Sequence, residues 1–284
     1  MPIGGVDIRR AAHRATLCAR RVGTAAALVF AVSLGSTPLE ASAESSIILP
    51  YPDHFGEIPA ATYDNDGMRI GSALLKLEKR ADGLVVMSVE TSIEGGARTE
   101  ARAELSILEA NRGLRLLREF THSHDGEGKS KGILRVDHVK GEATCTPTPG
   151  SDLLPSRVTL PADERITNVP LHLLFLPLVQ GETDRISFQL FLCGNGAKVV
   201  DFEATRVPRS SAGGPHEIVE VRYSPDLGAL MSFLAKAVVP DLAFWFDANG
   251  QGTYLAHRMP LFSKGPEVLV VRDGIARELL TANP

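Results

Sequence analysis

Residues 186–196 read Ile-Ser-Phe-Gln-Leu-Phe-Leu-Cys-Gly-Asn-Gly, and this stretch decides the fold. Ile186, Phe188, Leu190 and Leu192 alternate with Ser187, Gln189, Phe191 and Cys193, the period of two that a β-strand imposes on its side chains. Gly194-Asn195-Gly196 supplies a tight turn, and Lys198–Val207 returns as the second strand of a hairpin. Both faces of Ile186–Cys193 are apolar enough to be buried, and the same holds for Leu242–Phe246.

The same grammar continues on either side. Ile70–Lys79 and Leu84–Ile93 flank Asp82-Gly83, a dipeptide suited to a tight hairpin. Arg98–Leu108 places Ala101, Ala103, Leu105 and Ile107 opposite Arg102, Glu104 and Ser106, which fits a half-buried strand. Leu114–His124 continues the pattern, and Gly126-Glu127-Gly128 turns the chain into Lys131–Lys140. Ala60–Gly71 reads as a turn-rich opening, and Thr146–Pro161, with four prolines, as an irregular connector. Ala162–Val179 predicts a short helix limited by Pro170 and Pro177, and Leu227–Val238 a second one. Glu217–Tyr223, Leu242–Phe246, Thr253–Met259 and Glu267–Arg272 complete the set. The expectation is a mainly β protein of about ten strands with two short covering helices, arranged as a curved antiparallel sheet or half-open β-barrel.

Composition bounds the function. The 284 residues are 44% hydrophobic and 23% charged with a net charge of -4, a globular balance that argues against disorder and against a nucleic-acid binder. Residues 1–43 read as an export signal, leaving 44–284 as a single β-rich domain. Arg9, Arg10, Arg14, Arg20 and Arg21 precede the 13-residue apolar stretch Val22–Leu34, which is short of the about 20 residues a membrane span needs. Ala41-Ser42-Ala43 supplies a small-x-small cleavage pattern. Uncleaved, the same segment would be an N-terminal anchor. The expected location is periplasmic or secreted. Cleavage would remove Cys18 and leave Cys145 and Cys193, which in an oxidising compartment are either bridged or two buried thiols.

Motifs for chemistry are sparse. His122-Ser123-His124-Asp125 puts two imidazoles on one strand face, but no third metal ligand is signalled by spacing. Asp247–Gly252 opens like a calcium loop, yet its twelfth position is Arg258 where a bidentate Glu is needed, so a hairpin turn is the better reading. Trp245, the single Trp, sits opposite Phe244 and Phe246 in the alternation and reads as a packing residue. The chain lacks G-x-S-x-G, H-E-x-x-H and phosphate-cradling motifs. No catalytic residue, metal or cofactor is assigned. A hydrolase would have to join His122, His124, His138 or His257 to a carboxylate and a nucleophile, and it ranks third among the readings.

An exported chain, Ile70-Gly71 after a turn, serial hairpins and the apolar helix around Leu171–Leu178 form one pattern. The ending from Phe244-Trp245-Phe246-Asp247 to Leu255-Ala256-His257-Arg258-Met259-Pro260 completes it. In layout this resembles a group of exported bacterial proteins whose unrolled, half-open β-barrel is similar to the lipoprotein carriers LolA and LolB. The Pro-rich connector and the cysteine pair depart from that pattern. The resemblance implies a concave apolar cavity suited to an acyl chain. The leading expectation is therefore a non-enzymatic protein binding a hydrophobic small molecule or lipid. Phe188, Leu190, Leu192, Phe202, Phe244 and Phe246 are the candidate lining residues, on alternation. The second expectation, from a different class, is a scaffold that binds another envelope protein through a sheet edge or loops.

Overall fold

The computed structural model describes residues 47–108, 113–150, 152–160, 165–194, 196–208, 217–226, 242–250, 252–262 and 265–281. The signal reading at 1–43 and the helix expected at Leu227–Val238 lie outside the described residues. Among the described residues, fifteen strands form one sheet. They are β1 (Ile48–Pro50), β2 (Gly56–Tyr63), β3 (Arg69–Lys79), β4 (Leu84–Ile93), β5 (Arg98–Leu108), β6 (Gly113–His124), β7 (Ser130–Asp137) and β8 (Glu142–Pro147). The rest are β9 (Ser156–Thr159), β10 (Arg185–Gly194), β11 (Gly196–Pro208), β12 (Ile218–Pro225), β13 (Leu242–Asp247), β14 (Thr253–Pro260) and β15 (Glu267–Arg272). Two single-turn helices, α1 (Leu171–Leu174) and α2 (Leu176–Val179), link β9 to β10, and α3 (Glu278–Thr281) follows β15.

The spatial order is β10-β11-β12-β13-β14-β15-β2-β3-β4-β5-β6-β7-β8-β9, with β1 adding to β6. The chain enters the sheet in its middle at β2 and meanders outward to the β9 edge. It then crosses through α1 and α2 to the opposite edge and meanders back until β15 pairs with β2. Bulges at Thr62/Tyr63, Glu104/Leu105, Ser123/His124 and Trp245/Phe246 bend the sheet.

The two ends of the sheet overlap like a scroll. One face of β10 looks inward through Phe188, while its other face packs Phe191 and Cys193 against Leu134, Val136, Ala143 and Cys145 of β7 and β8. Cys145 and Cys193 are joined as a disulfide, with Cα atoms 5.3 Å apart, so the seam is covalently closed. The outer edge of β10 is also covered. Arg165–Thr167 runs beside it in parallel, and Asn168 continues that pairing with its amide, donating to Phe191 O at 2.8 Å and accepting from Phe191 N at 3.1 Å.

Four strands are added to the sequence reading. β1 and β2 precede the first expected strand, β2 occupying part of the expected turn-rich opening, and β8 and β9 lie within or beside the expected Pro-rich connector, which brings the count from about ten to fifteen. The prolines are compatible with strands because of where they fall. Pro147 ends β8, Pro155 immediately precedes β9, and Pro59 lies beyond the stretch of β2, Ala60–Tyr63, that pairs with β15. None of these positions requires a ladder N–H from proline.

The interior is filled from one end. α1 and α2 insert Leu171, Leu173, Phe175, Leu176 and Leu178 between Leu77, Val85, Leu105 and Leu116 on one side and Phe188, Val219, Val221 and Phe246 on the other. On the outer face, α3 places Leu280 over Trp245, Leu255 and Leu269. A buried carboxylate fixes the crossover. Glu119 of β6, 3% exposed, accepts from Asn168 N and Val169 N at 2.7 Å each and lies 3.3 Å from His138 Nε2.

Candidate functional site

Beyond the helical plug the barrel interior contains a cavity of about 450 Å³. Its cause is visible strand by strand. Leu77, Val85, Leu105 and Leu116 meet the plug, whereas further along the same inner face stand Thr91, Thr99, Ala101, Thr121, Ser123 and Gly132. Small side chains there leave space that larger ones would occupy. Two of the hydroxyls are used within the wall: Thr99 donates to Leu261 O at 2.7 Å and meets Ser123 Oγ at 3.1 Å. The opposite wall is Leu190, Phe202, Tyr223, Leu242 and Phe244, and α1 forms the floor with Leu171 and His172. The result is a mostly apolar chamber in the size range of small-molecule sites, roughly 300–1,000 Å³.

Of the six residues expected to line a site, Leu190, Leu192, Phe202 and Phe244 face this cavity. Leu192 is 39% exposed and marks the solvent side, beside Lys131, whose ammonium is paired with Asp125 at 2.8 Å. Phe188 and Phe246 lie outside the lining. Phe188 packs on Phe175 with ring centroids 5.6 Å apart, and Phe246, fully buried, stacks on Phe244 at 6.2 Å. Both belong to the plugged end of the inner face.

The polar part of the lining was not legible in the sequence. His172 and His257, 8% and 7% exposed, sit in the wall, and Tyr254 Oη lies 2.7 Å from His257 Nδ1. Burial lowers His257 to about 4, and burial reinforced by the neighbouring His257 lowers His172 to about 3. Both imidazoles are therefore neutral at pH 7. Burial also pushes the Tyr223 and Tyr254 hydroxyls well above their ordinary range. The chamber wall thus presents neutral polar groups, with its cation at the rim.

The other sequence candidates lie elsewhere. His122 and His124 do come together, with ring centroids 3.9 Å apart, but His122 is on the face opposite the cavity-lining Thr121 and Ser123. No group of three potential metal-binding side chains occurs among the described residues. Asp247–Gly250 is a turn in which Asp247 Oδ1 accepts from Asn249 N at 3.0 Å. Trp245 is buried on the outer face, its Nε1 donating to Glu220 at 3.2 Å. His138 meets Glu119, and neither lines the cavity. No helix among the described residues is long and apolar enough to cross a membrane.

Fold and cavity define a class: a mainly β, barrel-like protein with a plugged base and an apolar chamber above it. Among solved structures, the chain is similar to one described as a beta-barrel-like protein of domain of unknown function DUF1849 from Brucella abortus. The two share 8% identity with a TM-score of 0.39, over 76% of this chain and 94% of that one. No family model matches the sequence, and no curated protein matches it.

Proposed function

We propose that the protein is a non-enzymatic binding protein of the bacterial envelope that holds a hydrophobic ligand, a lipid or acyl chain, in its half-barrel cavity. The observation that carries this reading is the chamber itself: about 450 Å³, walled by Leu, Val, Phe and small residues, beside the buried core cluster that α1 and α2 complete. The Cys145–Cys193 bridge and the signal-like residues 1–43 support a periplasmic or secreted location. The layout that resembles the LolA and LolB carriers supports an acyl-type occupant. Against a hydrolase, the described residues of the cavity wall bring no carboxylate and nucleophile to His257, whose partner is the Tyr254 phenol.

The test is native mass spectrometry of the protein purified from its own host. A co-purified lipid is the expected result, and Ala101→Phe, which projects a ring into the chamber, removes it. Protein that carries no apolar molecule and takes up none from vesicles would defeat the proposal.

A second reading, an envelope scaffold, is favoured by β9. That strand pairs only with β8 among the described residues, and it is preceded by the exposed Leu153 and Leu154. Loss of a stable envelope complex on Val158→Pro would support it.

A further inference from the structure

The hydrogen-bonding state of the cavity wall narrows the ligand class, given the binding function proposed above. Tyr254 Oη has one partner among the described residues, His257 Nδ1 at 2.7 Å. Two arrangements satisfy that contact. If Nδ1 carried the proton, the phenolic hydrogen would be left without an acceptor in a buried site, a costly outcome. The phenol therefore donates to Nδ1, and His257 carries its proton on Nε2. That nitrogen has no partner among the described residues, and the ring that bears it lines the cavity.

His172 repeats the motif. Its Nδ1 is buried without a partner, and its ring also lines the chamber. An unmet buried lone pair is better tolerated than an unmet N–H, so the proton again belongs on Nε2. Two neutral N–H donors thus stand in a mostly apolar wall. Neither carries charge at pH 7, because burial holds both rings far below the usual histidine range. Among the described lining residues the lysine, Lys131, is at the rim and already paired with Asp125.

We infer that the cavity takes an uncharged long-chain carbonyl compound, an ester or an amide, whose carbonyl oxygen accepts a hydrogen bond from His257 Nε2 inside the chamber. A free carboxylate is disfavoured there, since among the described residues it would meet neutral donors and no unpaired counter-charge. A plain alkyl chain would fill the space but leave the donors unmet.

The experiment compares four probes of equal chain length by displacement of an environment-sensitive dye: the methyl ester, the N-methyl amide, the plain alkane, which has no acceptor, and the carboxylate. Relative to the alkane, the affinities of the ester and amide are expected to fall roughly 3- to 10-fold in His257→Phe, the range that one net hydrogen bond provides. Trp245 emission reports separately that the variant is folded. The ¹³C carbonyl resonance of the bound ester should shift on binding to the wild type and not to the variant. Ester-to-alkane and amide-to-alkane affinity ratios that are unchanged in His257→Phe, or tightest binding of the carboxylate to the wild type, would each overturn the inference while leaving a hydrophobic-ligand protein. Failure of every probe and of the dye to bind would overturn that broader reading as well.

Discussion

Acidification from pH 7 to pH 5 is expected to remove about 4 kcal/mol of stability through His172 and His257 together. Both rings are driven below the ordinary value of 6.5 by burial, to about 3 and about 4 respectively. The native state therefore stays unprotonated at these sites through pH 5, while the unfolded chain takes up a proton at each as pH falls through 6.5. Stability is fully present above that value and declines as pH drops toward 4, the direction linkage requires when the unfolded state binds more protons. Each ring contributes about 2 kcal/mol of the loss between pH 7 and pH 5.

Trp245 gives the readout. It is the only tryptophan, 2% exposed, and lies on the outer face away from both histidines, so its emission reports global unfolding. Guanidinium midpoints at pH 7, 6 and 5 measure the effect. His257→Gln keeps an acceptor for Tyr254 but cannot titrate, and should reduce the loss to about 2 kcal/mol. Asp125, whose carboxyl is held below its ordinary value by Lys131, titrates below this window. Stability that is flat from pH 7 to pH 5, or an undiminished loss in His257→Gln, would refute the assignment of buried neutral imidazoles.

Three further outcomes follow from the same structure. Glu119→Ala leaves the Asn168 and Val169 amides without their 2.7 Å acceptor and should cost about 3 kcal/mol, with faster hydrogen exchange at those two amides; a change below about 1 kcal/mol would mean the crossover is held by packing alone. Reducing the Cys145–Cys193 bridge, which spans a sequence separation of 48, should cost up to about 4 kcal/mol, read as a lower denaturation midpoint with reductant; an unchanged midpoint would show that the seam is held by the Phe191 cluster without it. Ala101→Phe should abolish acyl-chain uptake while leaving the unfolding temperature within a few degrees, because the ring enters space and not a packed core; a large fall in unfolding temperature would mean the space is not there.

Alternation was sufficient wherever a strand pairs in simple register. β4 and β5 were legible residue for residue, because Asp82-Gly83 pins one end and inward Val85, Met87, Val89 and Ala103, Leu105 keep strict period two. Gly83 takes the left-handed conformation, φ +82°, that such a turn demands. β2, β8 and β9 were obscured by prolines that cap strands without interrupting them. The lining was legible in one dimension only. Alternation put Phe188, Leu190, Leu192, Phe202, Phe244 and Phe246 on one face, but it carries no information on where along that face the plug ends. Tyr254 and His257 were beyond reach for another reason. Three residues apart, they should point to opposite faces. Trp245 pairs with Ala256 while Phe246 pairs with Tyr254, so Leu255 is an extra residue in β14 that returns both rings to the same side.

The chamber is larger than an incidental packing flaw: it opens to solvent on the side of Leu192 and Lys131, so its apolar lining is left without packing partners. A chain under selection for stability alone has inexpensive remedies. The described helices α1 and α2 span eight residues together, roughly 12 Å of axis, against roughly 36 Å for an eleven-residue strand such as β5, so the plug stops well short of the inner face it is set against. Longer side chains at Ala101, Thr121 or Ser123 would fill the remainder without altering the sheet. Instead the wall becomes smaller where the plug ends, and the neutral rings of His172 and His257 stand in that same wall. Short plug, small wall residues and neutral donors each reduce stability by themselves. Together they are intelligible as the parts of a site whose apolar occupant restores burial at about 0.8 kcal/mol per methylene.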